Sequence, residues 1–193
     1  MPGSQDVQEP DQLQALSAST STFDRPGSSV SSEEAPAHLE DLRRTGPMPK
    51  VLIVDDHAFI RRGIQSILNA SPEWELVGEA ENGIAAIRMS RDLNPDIIVM
   101  DVSMPELNGI EAARAIHQLQ PQVKIVLLTL HESAELVRSA FRAGAQGYLL
   151  KSEAEQELLR ALRIVTGEGT YISPKVDPQV AKTVVHEISS NPG

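Results

Sequence analysis

The chain has 193 residues and a formal net charge of −10, with 17 lysine and arginine residues against 27 aspartate and glutamate residues. DNA-binding proteins draw much of their affinity from basic residues that neutralise phosphates, so this acidic balance disfavours DNA binding. The absence of cysteine excludes disulfides and thiolate metal sites. No apolar run approaches the roughly 20 residues that span a bilayer, and no secretory signal pattern opens the chain. We therefore expect a cytoplasmic protein with no membrane association.

Residues 1–48 are expected to form a disordered leader. Serine, proline, glutamine and acidic residues dominate this segment, and such a composition buries too little apolar surface to offset the entropy lost on ordering. A segment that folds when it contacts a partner is the alternative interpretation.

From residue 49 to 166, short apolar runs alternate with amphipathic stretches. The predicted strands 51–54, 96–100 and 123–128 are aliphatic except at Asp96 and Lys124, which is typical of parallel strands covered on both faces. Segments 75–80 and 148–150 are weaker strand candidates. The predicted helices between and after these strands are 57–68, 83–91, 110–119, 133–142 and 153–165.

Five β-α units in succession predict an α/β fold with helices on both faces of one parallel sheet. The spacing suits a doubly wound, flavodoxin-like sheet of five strands in the order 2-1-3-4-5, with five helices. Residues 167–193 are expected to form a linker or tail, in which 167–172 could be a short extended piece and Ser173-Pro174 could start a short helix. Val176, Val180 and Val184 recur at helical spacing there, but Pro178 weakens that prediction.

Polar residues end four of the predicted strands, namely Asp55-Asp56, Asp101, Thr129 and Lys151. The carboxyl ends of parallel strands meet at one edge, so we expect these side chains to converge. Three neighbouring carboxylates repel one another unless a cation lies among them, and Mg²⁺ prefers such oxygen ligands. Lys151 starts about 10 Å from Asp101, a gap that only a long side chain approaches.

This set of residues suits phosphoryl transfer to a carboxylate, which depends more on positioning and charge neutralisation than on an acid–base pair. Asp101 is the predicted nucleophile and phospho-acceptor, and Lys151 would pair with the charged product. Each residue also has a purely structural interpretation: Asp56 as a helix N-cap, Asp101 as a turn residue, Thr129 as a strand residue and Lys151 as a solvated surface charge. Their shared position at one sheet edge favours the functional interpretation.

The same motifs resemble those of the response-regulator receiver domains of two-component systems. The pair 55–56 (DD) looks like the acidic pair of that family, and 101–109 (DVSMPELNG) resembles its phosphorylation loop. The triplet 127–129 (LLT) resembles its switch motif. Segment 144–151 (GAQGYLLK) is similar to its lysine motif, in the NarL/FixJ-type branch in particular. The resemblance covers about residues 49–173.

The resemblance implies a Mg²⁺ site. Asp56 and Asp101 would ligate the ion by their side chains and Ser103 by its backbone carbonyl, while Asp55 would act mostly through a metal-bound water. It also implies a switch in which Thr129 swings towards the phosphoryl group and Tyr148 then turns inward.

The resemblance further implies a phosphorylation-dependent signalling switch that receives its phosphoryl group from a sensor histidine kinase or a phosphotransfer protein. Such a chain is not a turnover enzyme, beyond self-phosphorylation and slow autodephosphorylation. Members of the family associate through the fourth helix, fifth strand and fifth helix, so we expect any homodimer to use residues 132–142 and 148–165.

Several features depart from the family pattern or leave alternatives open. Lys151 is followed by Ser152, where many receivers have proline, and Leu130 is bulky where many have a small residue. NarL/FixJ-type regulators usually continue into a helix-turn-helix domain, and about twenty residues after Pro174 are too few for one, so DNA binding by this chain is unexpected. The alternatives are a pseudo-receiver that acts only as an interaction module, and a transcription regulator whose DNA-binding domain is missing from this chain. An aspartyl-phosphate phosphatase is disfavoured, because that family's Asp-x-Asp motif needs a second carboxylate where Ser103 stands.

Overall fold

The structure, a computed structural model, describes residues 47–190, with the side chains of residues 47–187. Nearly all of the predicted leader, residues 1–48, therefore lies outside the described residues. No helix within the described range is long and apolar enough to cross a lipid bilayer.

Six parallel strands form one sheet in the order β2-β1-β3-β4-β5-β6. The strands are β1 (Lys50–Val54), β2 (Glu75–Ala80), β3 (Ile97–Asp101), β4 (Lys124–Thr129), β5 (Gly147–Leu150) and β6 (Tyr171–Ile172). The helices are α1 (Ala58–Asn69), α2 (Gly83–Leu93), α3 (Gly109–Leu119), α4 (Ala134–Arg142), α5 (Ala154–Thr166) and α6 (Pro178–Ser190). The doubly wound, flavodoxin-like α/β fold and the order of the first five strands are confirmed. The described residues contain one strand and one helix more than the predicted five of each, because β6 and α6 follow α5.

Each face of the sheet has its own aliphatic core, because successive strand residues point to opposite faces. On one face, Leu52 and Val54 of β1 pack with apolar residues of α2, α3 and α4. On the other face, Val51 and Ile53 pack with those of α1 and α5. The central strands are buried on both sides, which explains why their sequences are continuously apolar instead of alternating.

The segment after α5 forms the short strand β6 and the helix α6. Pro178 is the first residue of α6, where its fixed φ and missing N–H do no harm, and the Asp177 side chain accepts a hydrogen bond from the Gln179 amide at 2.8 Å. The prediction treated Pro178 as an obstacle, but it begins the helix. Val176 and Val184 are buried in the same core as α4, so this segment packs against the sheet domain.

The glycine that begins α3 allows a close approach to the end of β3. A Cβ atom built on Gly109 would lie 2.0 Å from the backbone oxygen of Asp101, and the Gly109 amide donates to the Val102 carbonyl at 2.9 Å. The loop that leaves Asp101 is thus packed directly against the first turn of α3.

We predict that Gly109→Ala lowers the free energy of unfolding by about 1–3 kcal/mol, because the added methyl group forces backbone apart in a packed region. Gly63→Ala is the matched control: it also lies in a helix, but nothing lies within 4 Å of its added Cβ. That variant should gain about 0.5–1 kcal/mol from the better helix propensity of alanine. Urea unfolding measures both, and equal effects of the two variants would contradict the close approach at Gly109.

Candidate functional site

The predicted acidic residues and the lysine converge at the carboxyl edge of the sheet. Asp55 and Asp56 follow β1, Asp101 ends β3 and Lys151 follows β5. One ligand atom from each of the three carboxylates and from His57 all lie within 4.8 Å of one another. The convergence predicted from the strand ends is therefore present for the three aspartates and Lys151, whereas the Thr129 hydroxyl, which was expected to join them, bonds the His131 amide instead.

Lys151 lies between two of these carboxylates. Its Nζ is 2.7 Å from Asp55 Oδ2 and 2.9 Å from Asp101 Oδ2, and all three side chains are nearly or fully buried. The sequence argument assumed that a bound phosphoryl group would help this amine across the gap from β5. The extended lysine stem crosses it alone, because two buried carboxylates attract the ammonium group.

The pKa values of this pair follow from burial and from the neighbouring charges. Burial raises the pKa of Asp101, and the charge of Asp55 adds to that rise, while Lys151 and a backbone hydrogen bond from Ser103 oppose it. Burial alone would lower the pKa of Lys151, but its hydrogen bonds and charge interactions with the two carboxylates outweigh burial and raise it. The amine therefore remains an ammonium group, and the raised pKa makes Asp101 harder to ionise than an ordinary aspartate.

A buried arginine holds the acidic segment after β1. Arg61 of α1 donates from Nη1 to the backbone carbonyl of Asp55 at 2.8 Å, and it also pairs with Glu79 at 3.0 Å and Glu81 at 2.9 Å. The sequence analysis missed this residue. The sequence did contain an indication of its role. Arg61 lies three residues before Ile64, on the same buried face of α1, and a buried charge needs partners.

The alternative that Asp56 caps α1 is wrong. His57 occupies the N-cap position, and its backbone amide donates to Asp55 Oδ1 at 2.8 Å. The imidazole Nδ1 of His57 lies 2.7 Å from Asp56 Oδ1 and 3.3 Å from Asp55 Oδ1, with the ring largely exposed. Asp56 is thus an exposed carboxylate beside the buried one, and its side chain is not committed to the helix end.

The loop after Asp101 is fixed by backbone hydrogen bonds and by a helix cap. The Val102 amide donates to the Leu128 carbonyl at 2.8 Å, so the chain remains attached to β4 beyond the end of β3. Asn108 caps α3, its side chain accepting from the Glu111 amide at 2.9 Å. Ser103 is exposed and directs its amide to the Asp101 carboxylate.

Thr129 and Tyr148 form a second cluster, centred on the backbone of His131. The Thr129 hydroxyl accepts from the His131 amide at 3.1 Å, and the Tyr148 hydroxyl donates to the His131 carbonyl at 2.7 Å. A side-chain hydrogen bond also joins Thr129 to Tyr148. Within the described part of the chain, the recorded partners of the Thr129 hydroxyl belong to this cluster and not to the acidic one.

The acidic cluster fits a hard divalent cation by the chemistry of its donors. Carboxylate oxygens from Asp55, Asp56 and Asp101 lie together, and Mg²⁺ is bound in proteins by one or two carboxylates with retained waters. A positive charge, the Lys151 ammonium, already lies among these carboxylates in the structure. The site therefore accommodates positive charge next to Asp101.

A doubly wound parallel sheet with an acidic cluster and a buried lysine at its carboxyl edge is the arrangement that the resemblance to receiver domains implies. The model of the response regulator receiver domain matches residues 51–163, so the chain belongs to the response regulator receiver family. The resemblance stated from the motifs is confirmed. Proteins of this family are signalling proteins of two-component systems and not classical enzymes.

The chain is similar to two bacterial regulators in particular. It is 39% identical to the transcriptional regulatory protein DegU of Brevibacillus brevis over 69% of this chain and 56% of that protein. It is 40% identical to the response regulator UvrY of Escherichia coli over 69% of this chain and 62% of that protein. The chain thus spans about three fifths of the length of these relatives.

Solved structures give the same result. A two-component response regulator of the LuxR family from Aurantimonas sp. SI85-9A1 is 33% identical, with a TM-score of 0.67 over 72% of this chain and 99% of that one. The receiver domain of the putative response regulator NarL from Mycobacterium tuberculosis is 29% identical, with a TM-score of 0.61 over 63% of this chain and 98% of that one.

We predict that Arg61→Met lowers the free energy of unfolding by about 1–3 kcal/mol, because it leaves the buried carbonyl of Asp55 without its donor. Arg62→Met is the matched control, since Arg62 is the exposed neighbour in the same helix and, among residues 47–190, its hydrogen bond goes to the Ala58 carbonyl of its own helix at 3.3 Å. That variant should stay within about 0.5 kcal/mol of the parent. Denaturant unfolding monitored by circular dichroism compares them, and an equally small loss in both would show that Arg61 does not support the acidic segment.

Proposed function

We propose that this chain is a phosphorylation-dependent switch that receives a phosphoryl group on Asp101 from a sensor histidine kinase or a phosphotransfer protein in the cytoplasm. The observation that carries the proposal is the Lys151 ammonium held between Asp55 and Asp101 at the carboxyl edge of the sheet. Membership of the receiver family supports it.

In the proposed reaction, an oxygen of the Asp101 carboxylate attacks the phosphorus atom. The phosphorus–nitrogen bond of the donor's phosphohistidine breaks as the new phosphorus–oxygen bond forms, and the donor imidazole keeps the electron pair of the broken bond. Lys151, 2.9 Å from Asp101, is placed to pair with the charged product. The chain's own chemistry is limited to this transfer and to slow autodephosphorylation.

Asp55, Asp56, Asp101 and the backbone carbonyl of Ser103 are the groups that we propose to hold Mg²⁺. When bound, the ion would neutralise the carboxylate and phosphoryl oxygens. Asp55 is fully buried, and its two oxygens already accept from the His57 amide and from Lys151. These contacts fit the expectation that Asp55 acts mostly through a metal-bound water.

For the switch, we propose that Thr129 exchanges its bond with the His131 amide for one with the phosphoryl group. Tyr148 is fully buried in the structure, so an inward turn of its ring is not needed in this state. The hydrogen bonds of the Tyr148 hydroxyl to His131 and Thr129 would instead carry the change to the loop before α4.

For the output, we propose that phosphorylation favours a homodimer through α4, β5 and α5. Part of this surface contacts the chain itself, because α6 packs on α4 and β6 pairs with β5. Arg142 on α4 is exposed, and Arg138 is 3.9 Å from Glu187 of α6. DNA binding by this chain is not proposed, given its net charge of −10.

We predict that incubation with acetyl phosphate and Mg²⁺ adds one phosphoryl group, and that Asp101→Asn abolishes the addition because it removes the nucleophile. Intact-protein mass spectrometry measures the product. Asp96→Asn, at the opposite end of β3, is the matched control and should be labelled normally.

Asp56→Asn keeps the acceptor but should weaken Mg²⁺ binding about tenfold or more in calorimetric titration, because a charged ligand is lost.

Full labelling of Asp101→Asn would refute the assignment of the acceptor. If the parent protein showed neither labelling nor Mg²⁺ binding, the pseudo-receiver alternative would replace the switch.

We predict that reversing the charges of Arg138 and Arg142 weakens the phosphorylated dimer several-fold. The reversal removes two positive charges from the proposed interface and puts negative charges there, which disturbs its charge complementarity. Arg114→Glu, an exposed arginine on α3, serves as the control. Sedimentation velocity with and without acetyl phosphate measures association. A dimer that is unaffected by the double reversal must use another surface.

A further inference from the structure

We propose that Ser173, which lies beyond the matched family segment 51–163, is a positioning residue for Lys151. The inference rests on the proposed function, in which Lys151 pairs with the phosphoryl group on Asp101. Ser173 follows β6, and its side chain is almost completely buried. It contacts the backbone of β5 immediately before the lysine.

The contact replaces a regular hydrogen bond of the parallel ladder. In such a ladder, the amide of a residue donates to the carbonyl of one residue on the adjacent strand. The carbonyl of that same residue then accepts from the amide of the residue two positions further along the adjacent strand. Ser173 donates its amide to the Tyr148 carbonyl at 2.9 Å, so its own carbonyl should accept from the Leu150 amide. Instead the Ser173 hydroxyl accepts that hydrogen bond, at 2.8 Å.

The substitution occurs because the chain turns away at this point. The Ser173 carbonyl accepts from the Val176 amide at 3.0 Å, in the turn that leads to α6. The Ser173 hydroxyl therefore accepts the Leu150 hydrogen bond in place of the Ser173 carbonyl, which is bonded within the turn. Leu150 is 2% exposed, and a buried amide that loses its acceptor costs more than an ordinary hydrogen bond contributes.

This hydrogen bond fixes the origin of the lysine side chain. β5 ends at Leu150, and Lys151 begins a short 3₁₀ turn whose first carbonyl accepts from the Ala154 amide. The backbone at Lys151 is thus held by the Ser173 hydroxyl on its N-terminal side and by this turn on its C-terminal side. From that origin, Nζ reaches hydrogen-bond distance of both Asp55 and Asp101.

The bond also links the C-terminal segment to the site. Ser173 holds β5 on both sides of Leu149, through the Tyr148 carbonyl and the Leu150 amide. Val176 and Val184 anchor the chain that follows Ser173 in the core shared with α4. A purely structural role would be to attach β6 and α6, whereas a positioning role also requires that loss of the hydroxyl changes how the site binds a phosphoryl mimic.

The test compares Ser173→Ala with Ser173→Thr, which keeps the hydroxyl. The full chain is titrated with Mg²⁺ alone and then with Mg²⁺ plus beryllofluoride, a phosphoryl mimic, and binding is followed by calorimetry. We expect Ser173→Ala to weaken beryllofluoride affinity about three- to tenfold, in line with the loss of one hydrogen bond. Mg²⁺ affinity should not fall, because Lys151 is not among the proposed ligands, and Ser173→Thr should restore beryllofluoride binding.

Ser90→Ala is the matched control. Ser90 is fully buried, and its hydroxyl donates to Gln120 Oε1 at 2.7 Å, in α2 and away from the carboxyl edge of the sheet. It should lose stability as Ser173→Ala does, without any change in beryllofluoride affinity. Should Ser173→Ala fail to fold, Ser173→Cys preserves the volume with a much weaker acceptor and is expected to show the same loss.

The proposal is overturned if the Ala or Cys variant binds beryllofluoride as tightly as the parent, or if Ser173→Thr fails to restore a loss. A parent protein that binds neither Mg²⁺ nor beryllofluoride would instead refute the proposed function, and the positioning role with it. The two failures are therefore distinguishable in the same titration.

Discussion

The position of one ammonium group between two buried carboxylates organises this edge of the sheet. Lys151, Asp55 and Asp101 come from the ends of three different strands, and their ion pairs hold those ends together. Breaking a buried pair on one side costs about 3–5 kcal/mol, because it leaves an uncompensated charge in a poorly solvated place. The same burial makes the ion pairs sensitive to charge, since any change in the charge of Asp101 alters the electrostatic attraction between Asp101 and the Lys151 ammonium group.

The fold supplies these charges through its strand order and supports them from outside the cluster. β1 lies beside β3, so Asp55 and Asp101 are neighbours although 46 positions separate them in the numbering of the chain. Arg61 holds the carbonyl of Asp55, and Ser173 holds the amide before Lys151. Neither of these supporting residues carries charge into the cluster itself. They act on the backbone, and so they determine where the charged side chains begin.

The hydroxyl cluster of Thr129 and Tyr148 is separate from the acidic cluster in the structure, but the two clusters share strand β5, which carries Tyr148 and ends just before Lys151. Thr129 ends β4, and Tyr148 lies in β5 two positions before Leu150. The Tyr148 hydroxyl is therefore hydrogen-bonded to the loop before α4, while its backbone carbonyl accepts from the Ser173 amide. At the proposed phosphoryl site, β5 therefore connects Lys151 to the loop before α4 and to the C-terminal segment.

The sequence by itself determined the α/β class, the order of the first five strands and the convergence of Asp55, Asp56, Asp101 and Lys151. These follow from local patterns, because continuous apolar runs specify buried parallel strands and residues at their carboxyl ends must share one edge. Only the tertiary structure decided that the extended piece within 167–172 pairs with β5 as a sixth strand, that α6 starts at Pro178, and which groups Arg61 and Ser173 bond. A two-residue strand leaves no periodic signal, and the partner of a buried hydrogen-bonding side chain depends on which distant backbone group lies opposite it once the chain has packed.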